Sequence, residues 1–373
     1  MRTIARARAA GAALLALAIA VLPAARAAGE PAAASAWSLS AHSVHHSDAL
    51  SLEAIDREAW SELAPRPGRN LTYLDDEIRL GWRRGEGSIT LLARQYATLV
   101  ASADTLRLVA QVSGRAQPAD DQAYDVDLQA RGFSGIGLAL GLAAAPAAGW
   151  RWHGEVQMLG LGRWLERRIE GPVSYRAADA SYEFDVHSFE LDNRLDFPFQ
   201  QPFARRGAGL LLATGASWQG EGAWVHAELL DGGWLHWRGV PQQQGTLSTA
   251  TRSVDGDGFL IYLPLIQGSN SQDGRTRWQP WRGSVAAGLL VAERHEVGLR
   301  VETVPGFGAL PVLTWQRLAG GAQSPGFGVE WRTHERRLDL RANWRGFTLD
   351  AGADRLGAGA HSRRLAIAYT TIR

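Results

Sequence analysis

The sequence predicts an all-β protein, an antiparallel up-and-down transmembrane β-barrel of about 14 strands, with about 12 to 16 strands all compatible with the pattern. Two observations predict this fold class. From about Tyr73 onward, segments of roughly ten residues alternate apolar and polar side chains, separated by clusters of Gly, Pro, Asp, Asn or Arg. The segments also follow one another through short connections, with tryptophans near their ends, which is typical of a meander that meets a membrane interface.

The first 27 residues have the composition of a signal peptide. A basic start is followed by an apolar run from Ala9 to Leu22 and then by Ala25-Arg26-Ala27, a small-x-small cleavage site. The apolar run is too short to span a bilayer comfortably as a helix. Residues 1–27 are therefore expected to be removed on export.

Composition excludes several classes of protein. There is no cysteine, which removes disulfides, thiolate metal sites and a lipoprotein anchor together. The 39 basic residues nearly balance the 38 acidic ones, so no basic excess points to a nucleic-acid partner. No cofactor and no metal ion is expected.

Residues 28–69 depart from the alternating pattern. Trp37 to Val44 reads as a short strand, and Leu52, Ile55 and Leu63 then follow helical spacing after Ser51, a good N-cap residue. This segment is interpreted as a periplasmic segment or as a plug in the lumen.

Residues 70–373 are assigned to the barrel. The clearest strand runs from Arg337 to Arg345, where Leu338 and Leu340 alternate with Asp339 and Arg341. A long extracellular loop is expected near 238–282, because that region is rich in Gln, Ser, Thr, Gly and Asp.

If the apolar strand faces meet lipid, the opposite faces line a wet, charged lumen. Two interpretations fit this lumen: charged rings that select solutes, or ion pairs that fill a narrow barrel. The charged residues predicted to line the lumen are Arg79, Arg83, Arg94, Arg107, Asp125, Asp127, Arg131, Arg300, Glu302, Asp339, Arg341 and Arg345.

Three further patterns could carry chemistry. His42, His45 and His46 lie beside serines and Asp48, which suggests a metal site or a Ser–His hydrolase, but an exposed polar terminus is the simpler interpretation, and no catalytic residue is assigned. The segment 255–258 resembles the opening of a calcium loop but has Ile266 where the bidentate glutamate should stand. The predicted loop also offers residues that suit sugars or anionic groups: Arg275, Trp278, Trp281 and Arg282.

The C-terminal strand supplies the most specific signal. Leu365, Ile367 and Tyr369 alternate toward Arg373, which resembles the C-terminal signature of Gram-negative outer-membrane β-barrels, although that family usually ends in Phe. The resemblance implies an outer-membrane location among lipids and lipopolysaccharide, and recognition by the barrel assembly machinery.

The leading functional hypothesis is a porin-like conduit for polar or anionic solutes, oligosaccharide or exopolymer. A non-conducting structural or assembly barrel is the alternative. An enzyme that modifies lipid or lipopolysaccharide is the third possibility, and the protein is not expected to be an enzyme.

Overall fold

The computed structural model describes residues 35–249, 252–254, 260–262, 265–292, 294–318 and 324–371. These residues belong to one compact unit, Ser35–Arg373. The predicted signal peptide and the segment 255–258 lie outside the described residues.

Strands dominate the secondary structure of the described residues, which also contain three short helical segments. The helical segments are α1 (Leu52–Asp56), a 3-10 turn (Trp60–Glu62) and α2 (Ala103–Gly114). The strands are β1 (Ser35–Ser47), β2 (Arg69–Arg84), β3 (Gly87–Ser102), β4 (Gln122–Ala144), β5 (Trp150–Arg176), β6 (Ser181–Asp192), β7 (Gly207–Gln219), β8 (Ala223–Trp237), β9 (Gln242–Ser248), β10 (Arg252–Val254), β11 (Leu260–Tyr262), β12 (Ile266–Ser271), β13 (Arg275–Gln279), β14 (Arg282–Ala292), β15 (His295–Val304), β16 (Gly308–Arg317), β17 (Gly326–Arg332), β18 (Arg337–Trp344), β19 (Phe347–Ala353) and β20 (Ser362–Thr370).

Fourteen of these strands form a closed antiparallel ring. Each strand of the ring pairs with the next in the order β1–β5, β7, β8 and β14–β20. The ring closes where β1 pairs with β20, in a register that sets Ser38 opposite Thr370. The prediction of a closed antiparallel barrel of about 14 strands is confirmed.

The polarity of the barrel is inverted relative to a soluble protein. On β18, Leu338 and Leu340 are 44% and 55% exposed on the outer face, whereas Arg337 and Asp339 are 0% and 3% exposed inside. The same alternation occurs on β2, where Ile78 and Leu80 face outward. An apolar belt outside and charges inside is the arrangement of a membrane-embedded barrel.

The interior is packed rather than empty on one side. Strands β3, β4, β5, β7 and β8 contribute an apolar cluster built around Trp164, Trp237, Tyr96, Phe133 and Leu211. Tryptophans near strand ends are expected at a membrane interface, and Trp237 is the last residue of β8. It is instead fully buried, and its indole N–H donates to the carbonyl of Ala204 at 2.7 Å.

The two ends of the barrel differ. At one end, the short-turn end, lie Ser35, Thr370 and tight hairpins such as Arg345-Gly346, where both residues have positive φ, as a two-residue hairpin requires. The other end, the long-loop end, carries α1, α2 and an extension of the wall. There β5 pairs with β6, β6 with β9 and β9 with β12, while β13 pairs with β8.

Three sequence expectations are corrected. Residues 28–69 were interpreted as a periplasmic segment or a plug, but Ser35–Ser47 is a wall strand paired on both sides. Arg107 is expected on a strand face that lines the lumen, but it lies in Ala103–Gly114, which forms α2. The predicted loop 238–282 contains β9–β13. Among the described residues, no helix combines the length and the apolar composition needed to cross a bilayer.

Candidate functional site

The lumen is crossed by four charged side chains, which we call the luminal barrier: Asp75, Arg94, Asp231 and Arg282. Arg94 donates to both carboxylate oxygens of Asp231, at 2.6 and 3.1 Å. Arg282 donates from Nε to Asp231 and from Nη1 to Asp75, each at 2.6 Å. All four are buried or nearly so.

Strand order shows that the luminal barrier joins opposite walls. Arg282 on β14 and Asp75 on β2 are separated in the ring by β3, β4, β5, β7 and β8 on one side and by β15–β20 and β1 on the other. A single Arg–Asp contact therefore connects nearly opposite sides. The walls approach so closely here that the side chains meet directly across the lumen.

Local chain geometry positions the barrier. The register between β7 and β8 shifts between Leu212 and Thr214, and Asp231 lies in this irregular stretch with a φ of 66°. Such a bulge re-aims a side chain. The guanidinium of Arg282 packs on the ring of Tyr96, with its central carbon 4.1 Å from the ring centroid.

A second cluster, the loop-end cluster, surrounds the carboxylate of Asp48 just beyond β1. Its oxygens contact the Nε2 atoms of His46 and His334 at 3.0 and 3.1 Å, the guanidinium of Arg66 at 2.7 Å and the backbone N–H of Leu71 at 2.7 Å. Burial acts to raise the pKa of Asp48, but the hydrogen bonds from the two histidines outweigh it and hold that pKa below its usual range.

His46, Asp48 and His334 are close enough to hold a metal ion, since their ligand atoms lie within 4.8 Å of one another. However, Arg66 already neutralises the carboxylate, and a cation placed there would meet the guanidinium charge. The donor set therefore fits a hydrogen-bonded tie between β1 and the β17–β18 turn better than a metal site.

The predicted luminal residues fall into three groups. Most face the lumen and pair there, as Arg300 does with Glu330 at 2.5 Å and Arg341 with Asp350 at 2.7 Å. Asp125 and Asp127 lie on β4 where it pairs with residues 170–172 of β5, beside α2. The residues at inward register positions on barrel strands are Arg79, Arg83, Arg94, Arg131, Arg300, Glu302, Asp339 and Arg341.

Two luminal predictions are wrong. Arg107 lies on helix α2, where it pairs with Asp104 one turn earlier. Arg345 lies in the β18–β19 turn, with its guanidinium carbon 4.8 Å from the ring centroid of Trp344. Alternation alone could not separate a short helix or a turn residue from the strand pattern around it.

The four residues predicted to form a binding loop do not lie together. Trp278 packs edge-on against Trp234 at 4.7 Å and against Trp281 at 6.3 Å, and Arg275 lies over the ring of Phe189 at 5.7 Å. Arg282 instead starts β14 and points into the lumen as part of the barrier. The predicted binding loop is therefore not a single site.

The histidines of β1 face opposite sides of the wall. His42 faces the lumen, 3.4 Å from Asp75, and His46 is buried in the loop-end cluster. His45 faces outward beside Ser43, and its Nε2 lies 3.0 Å from Asp76 of β2. Asp76 does not stand out in the sequence, because only the strand register places it opposite Ser43.

No family model matches the sequence, and no curated protein matches it. Solved structures that resemble it include a mutant of the TodX monoaromatic hydrocarbon channel, with a TM-score of 0.42 at 8% identity over 92% of this chain and 91% of that chain. The P. putida toluene transporter TodX gives 0.40 at 8% identity over 92% and 91%. The outer membrane protease OmpT from Escherichia coli gives 0.25 at 10% identity over 90% and 95%.

Nothing about the function of this chain follows from similarities of this size. Its architecture is established by its own strand pairing: the chain is a closed 14-stranded β-barrel of the membrane-embedded type.

Proposed function

We propose that the protein is an outer-membrane conduit for polar or anionic solutes, whose lumen is closed by the luminal barrier in the conformation described here. The observation that carries the proposal is the ion-paired bridge between β14 and β2. A cavity of about 460 Å³, lined by charged side chains, adjoins it. An exchangeable ion pair can open without breaking the hydrogen bonds of the wall.

The outer-membrane location is supported by the asymmetry of the ends. Bacterial barrels have short periplasmic turns and longer extracellular loops, which assigns the short-turn end to the periplasm. Exposed aromatic residues near this end, including Trp37, Trp150, Trp152 and Trp344, suit a membrane interface. Lipid, lipopolysaccharide and, through β20, the assembly machinery are the partners proposed.

The choice of polar or anionic solutes is supported by the chemistry of the wall. Luminal arginines such as Arg79, Arg300 and Arg332 are paired with carboxylates. A passing anionic group could replace such a carboxylate as the partner of the guanidinium, which suits bidentate recognition. An apolar solute would make no equivalent contact with the part of the wall that carries these arginines.

Single-channel conductance in planar bilayers tests the proposal. The wild-type protein is expected to conduct weakly or in brief openings, and Arg282→Gln with Asp231→Asn is expected to raise the open fraction by at least about tenfold, equivalent to about 1.4 kcal/mol. Asp231→Asn keeps the size of the side chain, and Arg282→Gln replaces the guanidinium by a shorter neutral amide, so the barrier loses its ion pairs but keeps polar side chains at both positions.

Arg341→Gln is the matched control. It breaks an ion pair with Asp350 that joins the neighbouring strands β18 and β19 and does not cross the lumen. Its conductance should stay at the wild-type level. If neither the wild type nor the double variant conducts while both fold normally, the conduit proposal is overturned.

A structural barrel without conductance is the second candidate. The apolar cluster around Trp164 and Trp237 favours it, because these side chains fill the lumen beside β3–β8 as in a core. Silence of every folded variant in the conductance experiment would support this candidate.

A further inference from the structure

We propose that the outer face of β1 and β2 carries a serine hydrolase site, formed by Ser43, His45 and Asp76, that cleaves an acyl ester of a glycerophospholipid in the surrounding membrane. This site lies on the opposite side of the wall from the luminal barrier. It is therefore independent of the conduit proposed above.

Strand register brings the three side chains together. Ser43 and His45 are two positions apart on β1, so both point to the same face, and Asp76 lies directly opposite Ser43 on β2. His45 Nε2 lies 3.5 Å from Ser43 Oγ and 3.0 and 3.3 Å from the two oxygens of Asp76. A nucleophile, a base and a carboxylate that orients the base are thus in mutual contact.

The position of the cluster is costly unless it has a use. Trp37 lies six positions before Ser43 on the same strand, and a rise of roughly 3.3 Å per residue at a tilt of about 40° puts Ser43 about 15 Å above it. The apolar band of such barrels is about 25 Å tall. A half-exposed imidazole and carboxylate within the band are expensive and point to a functional site.

The surroundings suit acyl chains. Two grooves on the outer face, of about 1120 and 720 Å³, meet at Ser43, His45 and Leu365. Outward apolar side chains line them, among them Leu74, Leu340 and Leu365 in the larger groove and Ile78, Ile136 and Ile367 in the smaller. Leu52 and Ile55 of α1 border the larger groove at the long-loop end.

Positive charge where the larger groove reaches the long-loop end of the barrel suits a phosphate. Arg355 and Arg363 line it there, and Arg355 is 61% exposed. A phospholipid with its chains along the grooves would place its phosphate near these guanidinium groups and its ester bonds a few ångströms deeper, toward Ser43. Two arginines around one phosphate favour a glycerophospholipid as the occupant.

The chemistry balances with water as the only co-reactant. Ser43 Oγ attacks the ester carbonyl carbon and gives its proton to His45; the C–O bond to the lysolipid then breaks, and the lysolipid oxygen takes the proton from His45. Water attacks the acyl-serine, passes a proton to His45 and releases the fatty acid, after which the proton returns to Ser43 Oγ.

The imidazole must present one nitrogen to Ser43 and the other to Asp76 during this cycle. In the conformation described here one nitrogen contacts both, so the half-exposed ring turns about its Cβ–Cγ bond when substrate binds. Catalytic hydrogen bonds often align only in the substrate complex. Gln95, directly opposite Asp76 on β3, is the neighbouring side-chain donor for the oxyanion.

Fatty-acid release from phosphatidylethanolamine in detergent micelles, with the folded full-length mature protein, tests the site. Ser43→Ala and His45→Ala are each expected to lower the rate at least about 1000-fold, and Asp76→Asn at least about 100-fold. Ser40→Ala is the matched control, because Ser40 lies on the same strand but faces the lumen.

A fluorophosphonate probe gives a second readout that does not require the right lipid. It should form one covalent adduct on the peptide that contains Ser43, absent in Ser43→Ala and retained in Ser40→Ala. Absence of the adduct in the folded wild type, or unchanged fatty-acid release by Ser43→Ala, would overturn the site. Cleavage of lipopolysaccharide alone, with no release from phospholipid, would overturn the proposed substrate.

Discussion

At the scale of single residues, stability depends on buried charges that find partners inside the barrel. Arg337 is fully buried, donates from Nε to Asp339 at 2.7 Å and from Nη1 to Ser362 at 2.7 Å. It ties β18 to the start of β20. Loss of the guanidinium would remove two hydrogen bonds to the buried carboxylate of Asp339, one from Nε and one from Nη2.

Arg337→Ala is expected to lower the free energy of unfolding by about 3 to 5 kcal/mol, the usual cost of breaking a buried ion pair from one side. Urea titration followed by the heat-modifiable shift in gel mobility measures this. Arg168→Ala is the control, since Arg168 and Glu170 are about half exposed and such pairs contribute about 0 to 1 kcal/mol. Equal losses of unfolding free energy in the two variants would show that the buried ion pair of Arg337 stabilises the barrel no more than an exposed pair does.

Asp48 gives a prediction about pH. Its pKa is below the usual range in the folded protein, so its contribution to stability is complete above the unfolded pKa of about 3.9 and is lost as the pH falls toward the folded value. The urea midpoint of the wild type should therefore fall more steeply below about pH 4 than that of Asp48→Asn. Parallel pH profiles of the two proteins would show that the loop-end cluster does not carry this dependence.

Residue positions were predictable where alternation was long and uninterrupted. The inward face of β18 follows directly from Asp339 and Arg341, and both face the lumen. The pairing partners were not predictable, because a contact such as Arg282 with Asp75 joins positions 207 apart in sequence. For the same reason, the contact of Asp76 with His45 on β1 was not predictable from the sequence.

At the scale of elements, turns and caps decide where strands stop. Ser102 ends β3 and caps α2, accepting a hydrogen bond from the Thr105 N–H at 3.1 Å. The short alternation around Arg107 predicted a strand there, but the cap and the contact of Leu108 with the apolar cluster on β4 and β5 favour the helix. Tertiary packing outweighed local pattern at this point.

The turn at Arg345-Gly346 gives a prediction for the hairpin of β18 and β19. Gly346 has a φ of 81°, so Gly346→Ala should cost about 1 kcal/mol through backbone strain. Gly222→Ala is the control at another tight turn, where an added Cβ has no atom within 4 Å and φ is not positive. Urea midpoints of the two variants should differ; identical midpoints would show that the turn tolerates the side chain.

At the scale of the whole molecule, β1 completes the ring. It pairs with β2 along all of its length and with β20 along most of it. The alternation that predicts this strand is weak, because Ser, Ala and His occupy its outward positions after Leu39. A strand such as β15, whose outer face carries Val297, Leu299 and Val301 in succession, is recognised more easily.

Removal of residues 1–47 is expected to abolish the folded barrel, because β2 and β20 would both become unpaired edges. A chain that begins at Ser35 keeps β1 and should fold. The heat-modifiable gel shift in detergent distinguishes the two. A folded, conducting chain without β1 would mean that β2 and β20 can pair directly.

The luminal barrier also constrains the order of assembly. Its transverse contacts join strands far apart in the chain, so they can form only after β14 has been added and the sheet has curved enough for β2 and β14 to face each other. Until then, the guanidinium and carboxylate groups remain hydrated, and the nascent sheet carries a water-wetted concave surface into the bilayer. Dehydration of the interior is thus a late event in biogenesis. The ion pairs then hold the opposite walls together once these walls have met.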